Sequence, residues 1–351
     1  MKAAEHRVTD ASSDPSTVFA GLGPAGMVPL VAATRGGSPQ RPTIESVHYG
    51  SLVALGAHGD VVLQAGDVHS GVFARSALKP LFAVGMVRAG LELEPRQLAL
   101  ACASHSGGAE HLEVVTSILR RYGLGPADLR NTPGVPIGGP ERRAFTASGA
   151  RPDRLHQNCS GKHAAMMATA VACGWDPAGY LEHDHPVAAL VRSSVEELTG
   201  CRIDPSTITR DGCGAEVYPL PLVGLARAYG RLTSAVPGSA EYAVAQAMST
   251  WPELVGGQGR DVTALMRALP GAVAKDGAEG VYALALAGGA CLAVKIADGA
   301  SRARVPAMLP ALRALGVQGD LGERLEEALP AQVLGWGEPV GSLIALLRAW
   351  E

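Results

Sequence analysis

The stretch Val281 to Ala297, "VYALALAGGACLAVKIA", decides how this chain folds. It is the richest apolar run in the sequence, yet "GGA" breaks it at Gly288 to Ala290 and Lys295 charges its far end. That leaves it short of the ~20 uninterrupted apolar residues of a membrane span. Two apolar runs joined by glycines read instead as adjacent buried strands. Thr43 to Gly66, "TIESVHYGSLVALGAHGDVVLQAG", alternates and carries an "HGD" turn, which predicts a hairpin of Thr43 to Ala54 with Val61 to Ala65.

Between these two strand regions the periodicity is helical. Helices are predicted in "RSALKPLFAVGMVRAGL" (75–91), with Pro80 in the first turn and Ser76 near the N-cap, and over about Ala109 to Tyr122. More follow after "NCSGKH" (158–163) and over about Pro186 to Thr199, Leu220 to Tyr229, Ser239 to Ser249 and Asp261 to Leu269. Early strands, a central helical block and late strands predict an α/β protein whose sheet is formed from both ends of the chain, with a helical lobe between.

The 351 residues suffice for one large two-lobed domain, expected over 28–351. Residues 1–27 read as a loosely ordered tail without the apolar core of a secretory signal, and a cytoplasmic setting is expected. With 18% charged residues and a formal net charge of -3, there is no basic excess to favour nucleic acid or an anionic membrane, so the expected partner is a small molecule. Six cysteines in a reducing compartment are free core thiols, metal ligands or reactive groups rather than a disulfide framework.

Five lysines stand against 25 arginines. Coding bias explains most of this, but lysine is the cation whose pKa burial can lower, so the survivors draw attention. Ser76 and Lys79 form a Ser-x-x-Lys, one helical turn apart. A desolvated lysine can take the proton of a serine nucleophile, although a capping Ser beside a solvated Lys would look the same. Ser104 and Ser106 in "ASHSGG" are either displayed hydroxyls or turn residues. Lys275, in "AKDGAEG", is read as lying in a glycine-rich loop before a strand. Cys159 and Lys162 share a helix start, and Cys213 lies in the turn-like "DGCG"; two thiolates can hold zinc, but spacing alone leaves that open. No phosphate-binding loop and no convincing dinucleotide fingerprint is present.

Taken in order, "ESVHYG", "ARSALKPLF", "ACASHSGGAEH", "NCSGKHAAMM", "DGCGAEVYPLPL" and "AKDGAEGVYAL" resemble the rhizobial-type, class 3 L-asparaginases of the asparaginase II family over about residues 28 to 348. The resemblance implies a fold like that of serine β-lactamases, penicillin-binding proteins and glutaminases. It also implies a homodimer that hydrolyses L-asparagine to L-aspartate and ammonia. Ser76 would be the nucleophile, Lys79 its base, and Ser104 with Lys275 a second pair. Arg75, His163 and Asp211 match substrate-binding positions, and Cys159, Lys162 and Cys213 match those that hold zinc, expected here at partial occupancy and as a tuning ion. The chain departs from the family in placing Glu216 near "DGCG" and Ala165 after "GKHA". Two alternatives stay open. One is a Ser-x-x-Lys hydrolase of glutamine, a lactam or a peptide, although the late strand lacks Lys-Thr-Gly. The other is a non-catalytic amino acid or metal-binding protein.

Overall fold

The computed structural model describes residues 26–38, 41–329 and 331–347, so the expected tail lies outside the described residues except for Gly26 and Met27. Among the described residues twelve strands form: β1 (Val28–Ser38), β2 (Arg41–Leu55), β3 (Val61–Ala65), β4 (Gly71–Phe73), β5 (Thr209–Arg210), β6 (Glu216–Val217), β7 (Pro219–Pro221), β8 (Val273–Asp276), β9 (Val281–Ala285), β10 (Cys291–Ile296), β11 (Gln332–Gly335) and β12 (Glu338–Ala345). Eight of them make one antiparallel sheet in the order β11-β12-β1-β2-β10-β9-β8, with β3 also on β2. The sheet is therefore built from both ends of the chain. Gly50 of β2 faces Val28 on one side and Ile296 on the other, so β1 and β3 share the edge of β2 that β10 leaves free.

The decisive stretch folds as its pattern dictates. β9 and β10 pair antiparallel across the glycine turn, with Ala293 opposite Ala283, and almost every residue in both is buried. Continuous apolar composition fits such strands because neither face meets water. The helices Leu222–Thr233 and Arg304–Ala314 both pack on β10. One hydrophobic core runs from Leu30 and Leu52 in the sheet through Leu81, Leu100 and Met167 in the helical lobe. This is the expected α/β arrangement, a sheet drawn from both chain ends with a helical lobe packed on it. No helix among the described residues is long and apolar enough to cross a membrane.

Two local expectations are corrected. The α-helix expected from Ser76 begins at Lys79, with Leu78 as N-cap, and Arg75–Leu78 is a 3₁₀ turn. The ring of Pro80 would clash with the carbonyl four residues back, that of Ser76, so the regular helix cannot start earlier. Lys275, expected in a loop and read against plain solvent exposure, lies on β8 opposite Ala283 and is fully buried. The glycines of "AKDGAEG" serve the following turn, where Gly277 N-H donates to Val281 O at 2.9 Å and Gly280 takes φ +73°.

Candidate active site

The groups singled out from the sequence come together where the start of the helix Lys79–Arg88, the turn after the helix Pro95–Ala101, the start of the helix Ser160–Ala172 and the hairpin turn between β5 and β6 meet. Lys79 is 2% exposed, so its ammonium needs acceptors inside the protein. It donates to Ala103 O at 2.5 Å, Ser104 Oγ at 3.1 Å and Cys159 Sγ at 3.2 Å. Ser76 is half-buried and its hydroxyl forms no hydrogen bond within the described residues. The lysine of the first expected pair thus touches the serine of the second.

Lys275 donates to Asp276 Oδ1 at 2.5 Å and to Asp276 O at 2.7 Å. Burial lowers its pKa to about 8, with the charges of Lys79 and Arg260 pushing the same way and Asp276 opposing. Burial would raise the Asp276 carboxyl, but the charges of Lys275, Arg260 and Arg304 outweigh it and hold it far below the usual carboxylate range. At neutral pH this is a buried charged cluster centred on one carboxylate.

At the more open side, Arg75 donates from Nε at 3.0 Å and Nη2 at 2.7 Å to Asp211 Oδ1. Arg75 has φ +51°, a conformation costing about 1 kcal/mol for a non-glycine residue. Burial pushes the Asp211 carboxyl up, yet its hydrogen bonds from Arg75 and the Arg75 charge leave it below the usual value. The turn that presents Asp211 closes through Asp211 N-H to Ala215 O at 2.8 Å, with Gly214 at φ +93°. This turn sends Asp211 to Arg75 and Cys213 inward.

Cys159, Lys162 and Cys213 are 5%, 3% and 3% exposed, and Lys162 donates to Cys213 Sγ at 3.2 Å. A hydrogen bond from Cys213, with the charges of Lys79 and Lys162, holds the Cys159 thiol well below its ordinary pKa despite burial. The Cys213 thiol is raised as the donor of that hydrogen bond and by burial. Two thiols suit zinc, but a lysine coordinates only as the neutral amine, and although burial pushes the Lys162 pKa down, Cys213 and Cys159 outweigh it and leave it raised. No group of three or more His, Cys, Asp or Glu able to hold a metal occurs among the described residues, so a metal between these thiols would need Lys162 as its third donor. Glu216 does not join this cluster: it pairs with Arg192 at 2.9 Å and His183 at 2.5 Å.

Gly161 explains its place in "NCSGKH", because a Cβ there would sit 2.4 Å from Leu100 O. Its absence lets the two helices that carry the site approach closely. Ser160 is not an N-cap: its Oγ donates to Leu155 O at 2.8 Å and contacts His105 Nε2 at 2.8 Å. His163 is fully enclosed, with Nδ1 2.8 Å from Tyr180 OH and Nε2 without a partner. Burial, with Lys162 and Lys79 nearby, keeps its ring neutral by lowering its pKa well below the ordinary value.

Sequence reading missed Asp276, Arg260 and Tyr180. Asp276 had a signal, since it follows a candidate lysine directly; Arg260 and Tyr180 had none.

The family model of L-asparaginase II matches residues 31–345. The chain belongs to the L-asparaginase II family. Membership makes it an amidohydrolase of the asparaginase type, and the grouping of Ser76, Lys79, Ser104 and Lys275 is to be read in that light. Among curated proteins none matches the chain. Among solved structures a simvastatin synthase from Aspergillus terreus, the LovD6 mutant, is 10% identical, over 79% of this chain and 93% of that one, with TM-score 0.33.

Proposed function

We propose that this asparaginase II family member hydrolyses L-asparagine to L-aspartate and ammonia through an ester on Ser76. The observation that carries the reading is the position of the Lys79 amine, buried three residues after Ser76 and 3.1 Å from Ser104 Oγ. Lys79, as free amine, takes the Ser76 proton while the oxygen attacks the side-chain amide carbon. The C-N bond breaks as the proton passes to the leaving nitrogen, giving ammonia. Water then cleaves the ester, releasing aspartate and restoring Ser76. Ser104 and Lys275 extend the proton path, the latter because its amine is close to half free near pH 8.

Arg75 and Asp211 match the two charges of an amino acid, the guanidinium for the α-carboxylate and the carboxylate for the α-ammonium. Cys159, Lys162 and Cys213 would hold zinc; once bound, it would supply a fixed positive charge in the wall of the site. A homodimer is part of the same reading, and sedimentation velocity tests it.

Ammonia release from a panel of amides by the wild type and Ser76→Ala tests the function. Asparagine should be the best substrate and the variant should lose at least ~10⁴-fold in kcat. Near-wild-type turnover by Ser76→Ala would rule out the serine ester.

A further inference from the structure

Arg260 stands at the start of the helix Asp261–Ala268, and no sequence motif marks it. Its Nη2 donates to Asp276 Oδ2 at 2.9 Å and its Nη1 to Ser104 O at 3.4 Å. One rigid guanidinium thus spans the turn that carries Ser104 and the strand that carries Lys275. Asp276 is shared: Oδ1 takes the Lys275 amine at 2.5 Å and Oδ2 takes Arg260. A carboxylate whose charge is divided between two cations holds each less firmly than a carboxylate given wholly to one.

We propose that Arg260 is a positioning residue for the Ser104 and Lys275 pair, fixing the Ser104 turn against β8 and, by occupying Asp276 Oδ2, freeing Lys275 to exist as an amine. This rests on the reading of Lys275 as a proton carrier. From its own strand Asp276 opposes deprotonation; Lys79, from the helix Lys79–Arg88, and Arg260 favour it. Arg304, from the helix Arg304–Ala314, lies 3.9 Å from Asp276 and is tied to Asp261 at 3.0 Å, so it adds to Arg260 without replacing it. Cys102, its thiol pushed up to about 12 by burial, and Tyr229 and Tyr282, raised well above the ordinary value by burial, stay neutral across pH 7 to 9.

Arg260 also lines an open groove of about 500 Å³ with Arg267 and Arg324, which gives solutes access to its place. That permits a test a merely structural residue would not pass. kcat/KM for L-asparagine is measured against pH for the wild type, Arg260→Gln, Arg260→Lys and Lys275→Met, and Arg260→Ala is assayed with and without guanidinium at non-denaturing concentration. Arg260→Gln should move the acid limb up by on the order of one pH unit, because removal of a nearby positive charge raises the lysine pKa. Arg260→Lys should keep the limb near its wild-type position but lower kcat, since a single ammonium cannot span both acceptors. Guanidinium should restore part of the activity of Arg260→Ala. An acid limb that stays put in Arg260→Gln, with no rescue of Arg260→Ala, overturns the role of Arg260 while leaving Lys275 untouched. Full activity in Lys275→Met removes the reading beneath it, whatever Arg260 does.

Discussion

Lys79 Nζ lies 3.1 Å from Ser104 Oγ, so the two Ser-Lys pairs legible in the sequence are joined into one cluster through a lysine of the first and a serine of the second. Groups that act as a unit are non-additive when removed. Lys79→Met, which preserves volume, should lower kcat about 10²- to 10⁴-fold, the range lost with a general base. Ser104→Ala added to it should then cost well under tenfold more. Pre-steady-state ammonia release from the single and double variants measures the coupling, and fully multiplicative losses would mean two independent pairs.

The buried amine of Lys275 sets a pH dependence with a definite sign. Its pKa of about 8 means the free amine is lost below that value, so kcat/KM should fall as pH drops through 8 and level off above it. Stability follows the same group. Between about 8 and the ordinary lysine value of 10.5 the folded state binds fewer protons than the unfolded chain, so stability gains with rising pH in that window. Lys275→Met should remove that gain, read as the difference between the two proteins in urea unfolding at pH 7.5 and 9.5.

Arg75 and Asp211 form a partly exposed ion pair, and a zwitterionic substrate would exchange their mutual contact for its own charges. Asp211→Asn keeps the shape and removes the charge. KM for asparagine should rise on the order of tenfold or more, consistent with a charge-assisted hydrogen bond of about 1.5–3 kcal/mol, while kcat changes less. Steady-state kinetics separates the two; a loss confined to kcat would place Asp211 in the chemistry.

Much of the sheet was legible because its central strands are local in sequence: "VYALALAGGACLAVKIA" and the "HGD" hairpin carry their own turns. β1 and β12 were not assigned: each has a hairpin neighbour, β2 and β11, but its second edge is closed only by a strand at the other end of the chain, as Val31 with Ala345. In the site, motifs located every lysine, serine and cysteine that converges, but they could not assign partners. Lys79 was expected on Ser76 and is held by Ser104, Ala103 and Cys159, because a buried ammonium takes the acceptors that packing offers. Arg260 lay beyond reach: one arginine among 25 acquires meaning only where the fold sets it on Asp276.

The thiol and amine cluster makes a metal prediction. If Cys159, Lys162 and Cys213 take zinc as proposed, the ion has to displace the protons of Lys162 and Cys213, so its affinity should weaken as pH falls. Zinc titrated into metal-free protein at pH 8 should raise the unfolding free energy by ~2.7 kcal/mol at a hundredfold excess over Kd, and Cys213→Ala should abolish the shift. Chelation should reduce activity less than Lys79→Met does. Equal stabilisation of wild type and Cys213→Ala would locate zinc elsewhere.

Tyr180 makes a prediction about the tautomer of His163. Its hydroxyl oxygen accepts from Arg130 N-H at 3.2 Å, which leaves its own proton for His163 Nδ1 at 2.8 Å. The imidazole then carries its proton on Nε2, the atom left enclosed without a partner. Tyr180→Phe would orphan both the Arg130 N-H and His163 Nδ1 in a site with little water, and each lost hydrogen bond there costs about 1–3 kcal/mol. The variant should unfold at a clearly lower urea concentration with an unchanged m-value. In the wild type, the ¹⁵N shifts of His163 near neutral pH should be those of the Nε2-H form, because burial lowers the ring's pKa well below its ordinary value. A midpoint equal to the wild type, or a protonated Nδ1, would break the chain from Arg130 through Tyr180 to His163.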